Sequence, residues 1–168
     1  MSDPFLRPPP PVGLRPRKPS RAGKPGPGPG QAVGRPLRVL FACVGNSARS
    51  QMAHGFAKAM GGSRVEARSG GSRPAGEVAP EAIAVMAEKG IDLSGHRSQG
   101  FDELWIRDEC DLVVTMGCGD DACPAFLGKP LEDWALEDPK GKPISEFRRT
   151  RDDIEARVRK LLAERGIL

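Results

Sequence analysis

Cys43-Val44-Gly45-Asn46-Ser47-Ala48-Arg49-Ser50 is the segment whose residue types can do chemistry. A cysteine, five residues and an arginine lie between an apolar run at 37–42 and a helix-like run at 51–60. That arrangement describes a pocket for a tetrahedral oxyanion with a nucleophile at its floor. Each part has a physical reason. Backbone N–H groups of a tight loop converge on one anion, and Gly45 lets the chain fold that closely. The N-terminus of the following helix adds partial positive charge. Arg49 offers a planar fork able to hold two oxygens of a phosphate or an arsenate. The same field favours the thiolate of Cys43, the form that attacks. Ser50 can donate a hydrogen bond to that sulfur. Asn46 and Ser47 suit a loop that braces its own backbone. A Cys-x5-Arg spacing alone is a weak signal; the strand before it, the helix after it and the Gly-Asn-Ser filling make it specific. The expected oxyanion-binding residues are Val44, Gly45, Asn46, Ser47, Ala48 and Arg49.

Such a loop needs a scaffold, and the rest of the chain alternates accordingly. Residues 37–42 read as a buried strand and 50–60 as a helix ended by Gly61-Gly62. A second strand is predicted at 64–69. A second helix follows at 80–89, with Pro80 in its first turn and Gly90 closing it. A short helix is predicted at 101–106, a third strand at 111–116 and a short extended piece near Trp134. A long final helix over 144–164 places Ile154, Val158, Leu161 and Leu162 on one face. Strands separated by helices predict an α/β fold in three layers, a parallel sheet covered on both faces. Ligands bind at the carboxyl ends of such strands. Cys43 follows the first strand and Cys118 the third, so both belong to one edge.

Residues 1–36 differ in kind. They hold 11 of the chain's 17 prolines, and seven basic residues against Asp3 alone. This composition predicts a disordered tail with polyproline II character. The remaining domain, 37–168, then carries 19 basic and 21 acidic residues, so the basic pI belongs to the tail and predicts no nucleic-acid partner. No apolar run is long enough for a membrane span and no secretory signal is evident, which makes a cytoplasmic location the expectation. In that setting four cysteines suggest redox or catalytic chemistry before structural disulfides. Cys118 and Cys123 sit in a Gly- and Asp-rich loop, read as mobile, where two thiols could pair or remain unrelated. Cys110 reads as an ordinary half-buried residue. His54 and His96 lack ligand spacing to the cysteines, so no metal site is expected; His54 reads as a surface residue and His96 as structural. Asp138, in Glu137-Asp138-Pro139, is the candidate acid that would protonate an oxygen leaving the attacked oxyanion.

Taken together, the Cys43–Arg49 loop with Ser50-Gln51-Met52-Ala53, the strand at 111–116, the Cys118/Cys123 loop, Trp134, Asp138-Pro139 and Ser145-Glu146-Phe147-Arg148 resemble the arsenate reductases built on the low-molecular-weight tyrosine phosphatase fold. The resemblance spans residues 37–166. It implies a four-stranded parallel sheet with flanking helices and no bound cofactor. It implies that Cys43 attacks arsenate, that Arg49 and the loop amides hold its oxygens, and that Asp138 protonates the departing one. Cys118 would then attack Cys43, releasing arsenite, and Cys123 would resolve the product into a Cys118–Cys123 disulfide. Thioredoxin would reduce that disulfide, or a small thiol such as mycothiol or glutathione would serve as reductant. Phosphate and sulfate would compete with arsenate, and a monomer is expected. Some family members bind potassium through a glutamate and an aspartate where this chain has His54 and Gln99, so these departures argue against a potassium site here. The alternatives are a low-molecular-weight protein tyrosine phosphatase hydrolysing phosphate monoesters, and an arsenate–mycothiol transferase using Cys43 alone. The absence of any tyrosine counts against the first, because an aromatic side chain usually grips the substrate ring.

Overall fold

The structure, a computed structural model, describes residues 34–117 and 128–168, and the folded unit is Pro36–Leu168. Apart from its last three residues, the proline-rich segment lies outside the described residues, as do Cys118 and Cys123.

Hydrophobic alternation and length decide the elements. Strand β1 spans Leu37–Cys43, helix α1 Arg49–Gly61 and, after a 3-10 turn at Gly62–Arg64, strand β2 Val65–Gly71. Helices α2 (Pro80–Ala87) and α3 (Glu103–Asp108) precede β3 (Leu112–Thr115), β4 (Leu131–Asp133) and α4 (Ile144–Glu164). The sheet is parallel throughout, in the order β2-β1-β3-β4. The expected four-stranded parallel architecture is therefore present. Differences are local. β2 runs to Gly71, because the chain keeps pairing with β1 as far as Cys43. α2 ends at Ala87, earlier than expected. α3 starts at Glu103, because the Asp102 carboxylate accepts from the Trp105 N–H at 3.1 Å and caps the helix there.

Period-two alternation along β1 splits the core into two layers. Val39, Phe41 and Cys43 face Met52, Phe56, Val85, Met86, Ile154 and Val158 of α1, α2 and α4. Leu40 and Ala42 face the opposite way, against Trp105 and Ile106 of α3 and against Cys110. α4 is tied to α2 by polar contacts as well: the buried Arg151 donates to Val85 O at 2.9 Å and to Glu88 at 2.6 Å. β1 is thus held on both faces and on both sides of the sheet, and it delivers Cys43 to the carboxyl edge as a fixed point. No described helix is long and apolar enough to cross a membrane.

Candidate active site

The loop from Cys43 to Arg49 turns from the end of β1 into the start of α1. Asn46 adopts φ +46°, a left-handed conformation that asparagine tolerates better than most residues. A hydrogen-bond chain fixes it there. The Gln99 backbone N–H donates to Asn46 Oδ1 at 2.9 Å, which sets the direction of the amide. Asn46 Nδ2 then donates to Ser50 Oγ at 2.8 Å. Ser50 has a single hydroxyl hydrogen and already accepts from Asn46, so that hydrogen is free for Cys43 Sγ, 2.8 Å away. The Asn46 backbone N–H also points at the sulfur, at 3.2 Å. Cys43 is buried, and two donors converge on it.

Arg49 is buried as well. Its Nη1 spends both hydrogens on carbonyl oxygens, those of Met116 at the end of β3 and of Leu136 at 3.0 Å. Nη2 lies 3.6 Å from Asp138 Oδ2. The edge of the guanidinium not taken up by carbonyls is therefore Nε/Nη2, and the two carbonyls hold the group in place. α1 begins without a side-chain cap and without an acid in its first turn. Its leading N–H groups are orphan donors, which suits an anion as their partner. Cys43, the loop, Arg49 and Asp138 line one cavity of about 260 Å³. The structure thus brings together Cys43, Ser50, Arg49, Asp138 and loop residues Val44, Gly45, Ser47 and Ala48, all named from sequence. Asn46 acts from behind the cavity wall.

Four features of the site escape sequence reasoning. Arg73 and Lys140 also line the cavity; Arg73 follows β2 and so stands at the same sheet edge, a signal that was available. Gly71 is the third, crowded by the loop itself, since a Cβ there would stand 2.9 Å from Asn46 N. The fourth is a buttress behind the loop. Gln51 Nε2 shares its two hydrogens among Asn46 O (3.1 Å), Asn46 Oδ1 (2.9 Å) and Arg97 O (2.9 Å), and its Oε1 accepts from His96 Nδ1 at 2.9 Å.

His54 corrects the surface assignment. Its Nδ1 lies 3.1 Å from Ser69 Oγ, and its ring packs on His96 with centroids 4.6 Å apart. α1 turns this residue toward β2 rather than outward. Burial first, then the neighbouring His96 and Lys58, pull its pKa down to about 4; His96 is lowered too, chiefly by burial. Cys110 is buried rather than half-buried, its thiol donating to Leu112 O at 3.2 Å, and burial pushes its pKa up, as for an inert thiol. Among the described residues no three His, Cys, Asp or Glu side chains gather as metal ligands.

The lowered His54 has a measurable consequence. Its folded pKa lies below the unfolded value of about 6.5, so the unfolded chain binds the proton more readily. The stability that neutral His54 contributes is present above that value and is lost as pH falls toward 4. We expect a loss of about 2 kcal/mol between pH 7 and pH 5 from this residue. Urea midpoints at the two pH values should converge in His54→Gln; an undiminished difference would show that another group carries it.

The structure is a parallel sheet with a Cys-x5-Arg loop at its carboxyl edge. The family described as low molecular weight phosphotyrosine protein phosphatase matches residues 38–166, and the chain belongs to that family. It is 41% identical over 129 residues to the glutaredoxin arsenate reductase of Synechocystis sp., covering 76% of this chain and 97% of that protein. An arsenate reductase solved in its phosphate binding state superposes with a TM-score of 0.68 at 40% identity, over 76% of this chain and 98% of the other. The thioredoxin-dependent arsenate reductase of Corynebacterium glutamicum gives a TM-score of 0.66 at 37% identity, over 78% and 62% of the respective chains.

Proposed function

We propose that this chain is an arsenate reductase working through a cysteine relay. The observation that carries the proposal is the setting of Cys43: a buried sulfur receiving two hydrogen bonds, at the head of a cavity lined by Arg49 and Asp138. Supporting it is the likeness to proteins named arsenate reductases over nearly their whole length. No aromatic side chain lines the cavity among the described residues, which disfavours a phosphotyrosine substrate.

The Cys43 thiolate attacks arsenic, and the expelled oxygen leaves as water after Asp138 donates a proton. Arg49 and the loop amides hold the remaining oxygens and the charge that develops on them. Cys118 as thiolate then attacks Cys43 Sγ. The new S–S bond forms as the S–As bond breaks, its electron pair reduces arsenic(V) to arsenic(III), and arsenite departs. Cys123 attacks Cys118, frees Cys43 and closes the Cys118–Cys123 disulfide. Thioredoxin reduces that disulfide, with glutaredoxin or a small thiol such as glutathione or mycothiol as the other reductant classes. The protein acts as a cytoplasmic monomer in arsenic detoxification.

Cys118→Ser tests the relay. It should block multiple-turnover arsenite production while sparing any hydrolysis of aryl phosphates, which needs Cys43 but not Cys118. Parallel loss of both activities would mark Cys118 as structural and remove the relay.

A further inference from the structure

We infer that Arg73 and Lys140 form a second anion subsite at the mouth of the Cys43 cavity, for ligands that carry a second anionic oxygen group beside the oxyanion. The inference rests on the reading of the 43–49 loop as an oxyanion cradle.

Both side chains line the same cavity as Cys43, Arg49 and Asp138. They reach it from different elements, and each is anchored. Arg73 lies just beyond β2, and its backbone N–H donates to Val44 O at 2.9 Å, which pins it to the cradle loop. The next such bond, Ala75 N–H to Gly45 O at 2.9 Å, keeps the segment against the loop. Lys140 stands on the far side, its backbone N–H donating to Asp138 Oδ1 at 3.1 Å. The rim thus has a cation on the β2 side and another on the acid-loop side.

Neither cation has an ion-pair partner among the described residues. Lys142, two residues beyond Lys140, by contrast pairs with Glu137. Two cations without an ion-pair partner among the described residues thus line one cavity. Cys43 as thiolate and Asp138 offset part of their charge, but Arg49, Arg73 and Lys140 outnumber them, and the start of α1 adds to the positive side.

Size points the same way. A five-atom oxyanion fills only part of a cavity of about 260 Å³, in which one water takes about 30 Å³. Arginine and lysine there suit a second phosphoryl or carboxylate group, arginine as a fork and lysine as a point charge. That group could be carried by the oxyanion-bearing ligand itself or by an incoming thiol.

Cys43 alkylation by iodoacetamide, followed by peptide mass spectrometry at 0.15 M salt, reports occupancy without any turnover. Orthophosphate and pyrophosphate serve as probes. Pyrophosphate should half-protect Cys43 at a concentration at least tenfold lower than orthophosphate. In Arg73→Ala/Lys140→Ala the advantage should shrink to threefold or less while protection by orthophosphate persists. Equal protection by the two anions in wild type, or an advantage that survives in the double variant, would overturn the subsite. No protection by orthophosphate would instead remove the cradle itself, and the subsite with it. In a parallel arm, glutathione and cysteamine are compared as reductants of the arsenate-loaded protein. A preference for glutathione that the double variant loses assigns the second anion to the thiol; pyrophosphate discrimination without it assigns the anion to the oxyanion-bearing ligand.

Discussion

Cys43→Ser is expected to abolish turnover on arsenate and on aryl phosphates alike, by about 10^4-fold or more, as removing a covalent nucleophile does. The reason is specific to this site. The Ser50 hydroxyl and the Asn46 N–H are aimed at a sulfur, at 2.8 and 3.2 Å. Donors placed to stabilise a thiolate do little for a serine, whose hydroxyl stays protonated at neutral pH without a base. Asp138 is set against Arg49, 3.6 Å from Nη2, and not against residue 43. The variant should fold normally, since oxygen for sulfur removes little volume. Unchanged circular dichroism with no product is the expected pair of results. Retained activity would place the nucleophile elsewhere in the chain.

Gly71→Ala is expected to damage both the fold and the site. Gly71 ends β2 opposite Cys43 in the sheet register. A methyl group there would stand far inside contact distance of Val44 O, 2.9 Å from Asn46 N and 3.1 Å from Asn46 Cβ. All three belong to the cradle loop, and two are backbone atoms that cannot rotate away. Overpacking of this kind costs roughly 1–3 kcal/mol. The loop relieves it by moving, which takes the Asn46 N–H off Cys43 Sγ and disturbs the Asn46–Ser50 bond. Thermal unfolding should therefore shift down, and turnover should fall more than tenfold at temperatures where the variant is still folded. A variant with the wild-type midpoint and full activity would show that the loop is softer than its hydrogen bonds imply.

Much of the fold was legible because it rests on local signals. The apolar run before Cys43, Pro80 at a helix start and the periodicity of Ile154, Val158 and Leu161 each specify an element without tertiary help. The candidate nucleophile loop was legible for the same reason: its residues are contiguous, and the proposed chemistry demands their spacing. What was missed comes from long range. The place of His54 on α1 predicts exposure, but β2 and the His96 turn cover it, and neither can be read from the helix alone. The Gln51 buttress joins residues 45 positions apart. Arg73 and Lys140 share a cavity only because β2 and the acid loop end at one edge. Gly71 looks like ordinary strand punctuation until the loop it touches is in place.

The most direct test of the account is arsenate-dependent NADPH oxidation with thioredoxin and thioredoxin reductase, comparing wild type with Cys43→Ser. Sustained turnover in wild type that disappears in the variant is the predicted result. Hydrolysis of aryl phosphates without arsenate-dependent oxidation, whether thioredoxin, glutaredoxin with glutathione, or mycothiol is supplied, would contradict the reductase and make the protein a phosphatase.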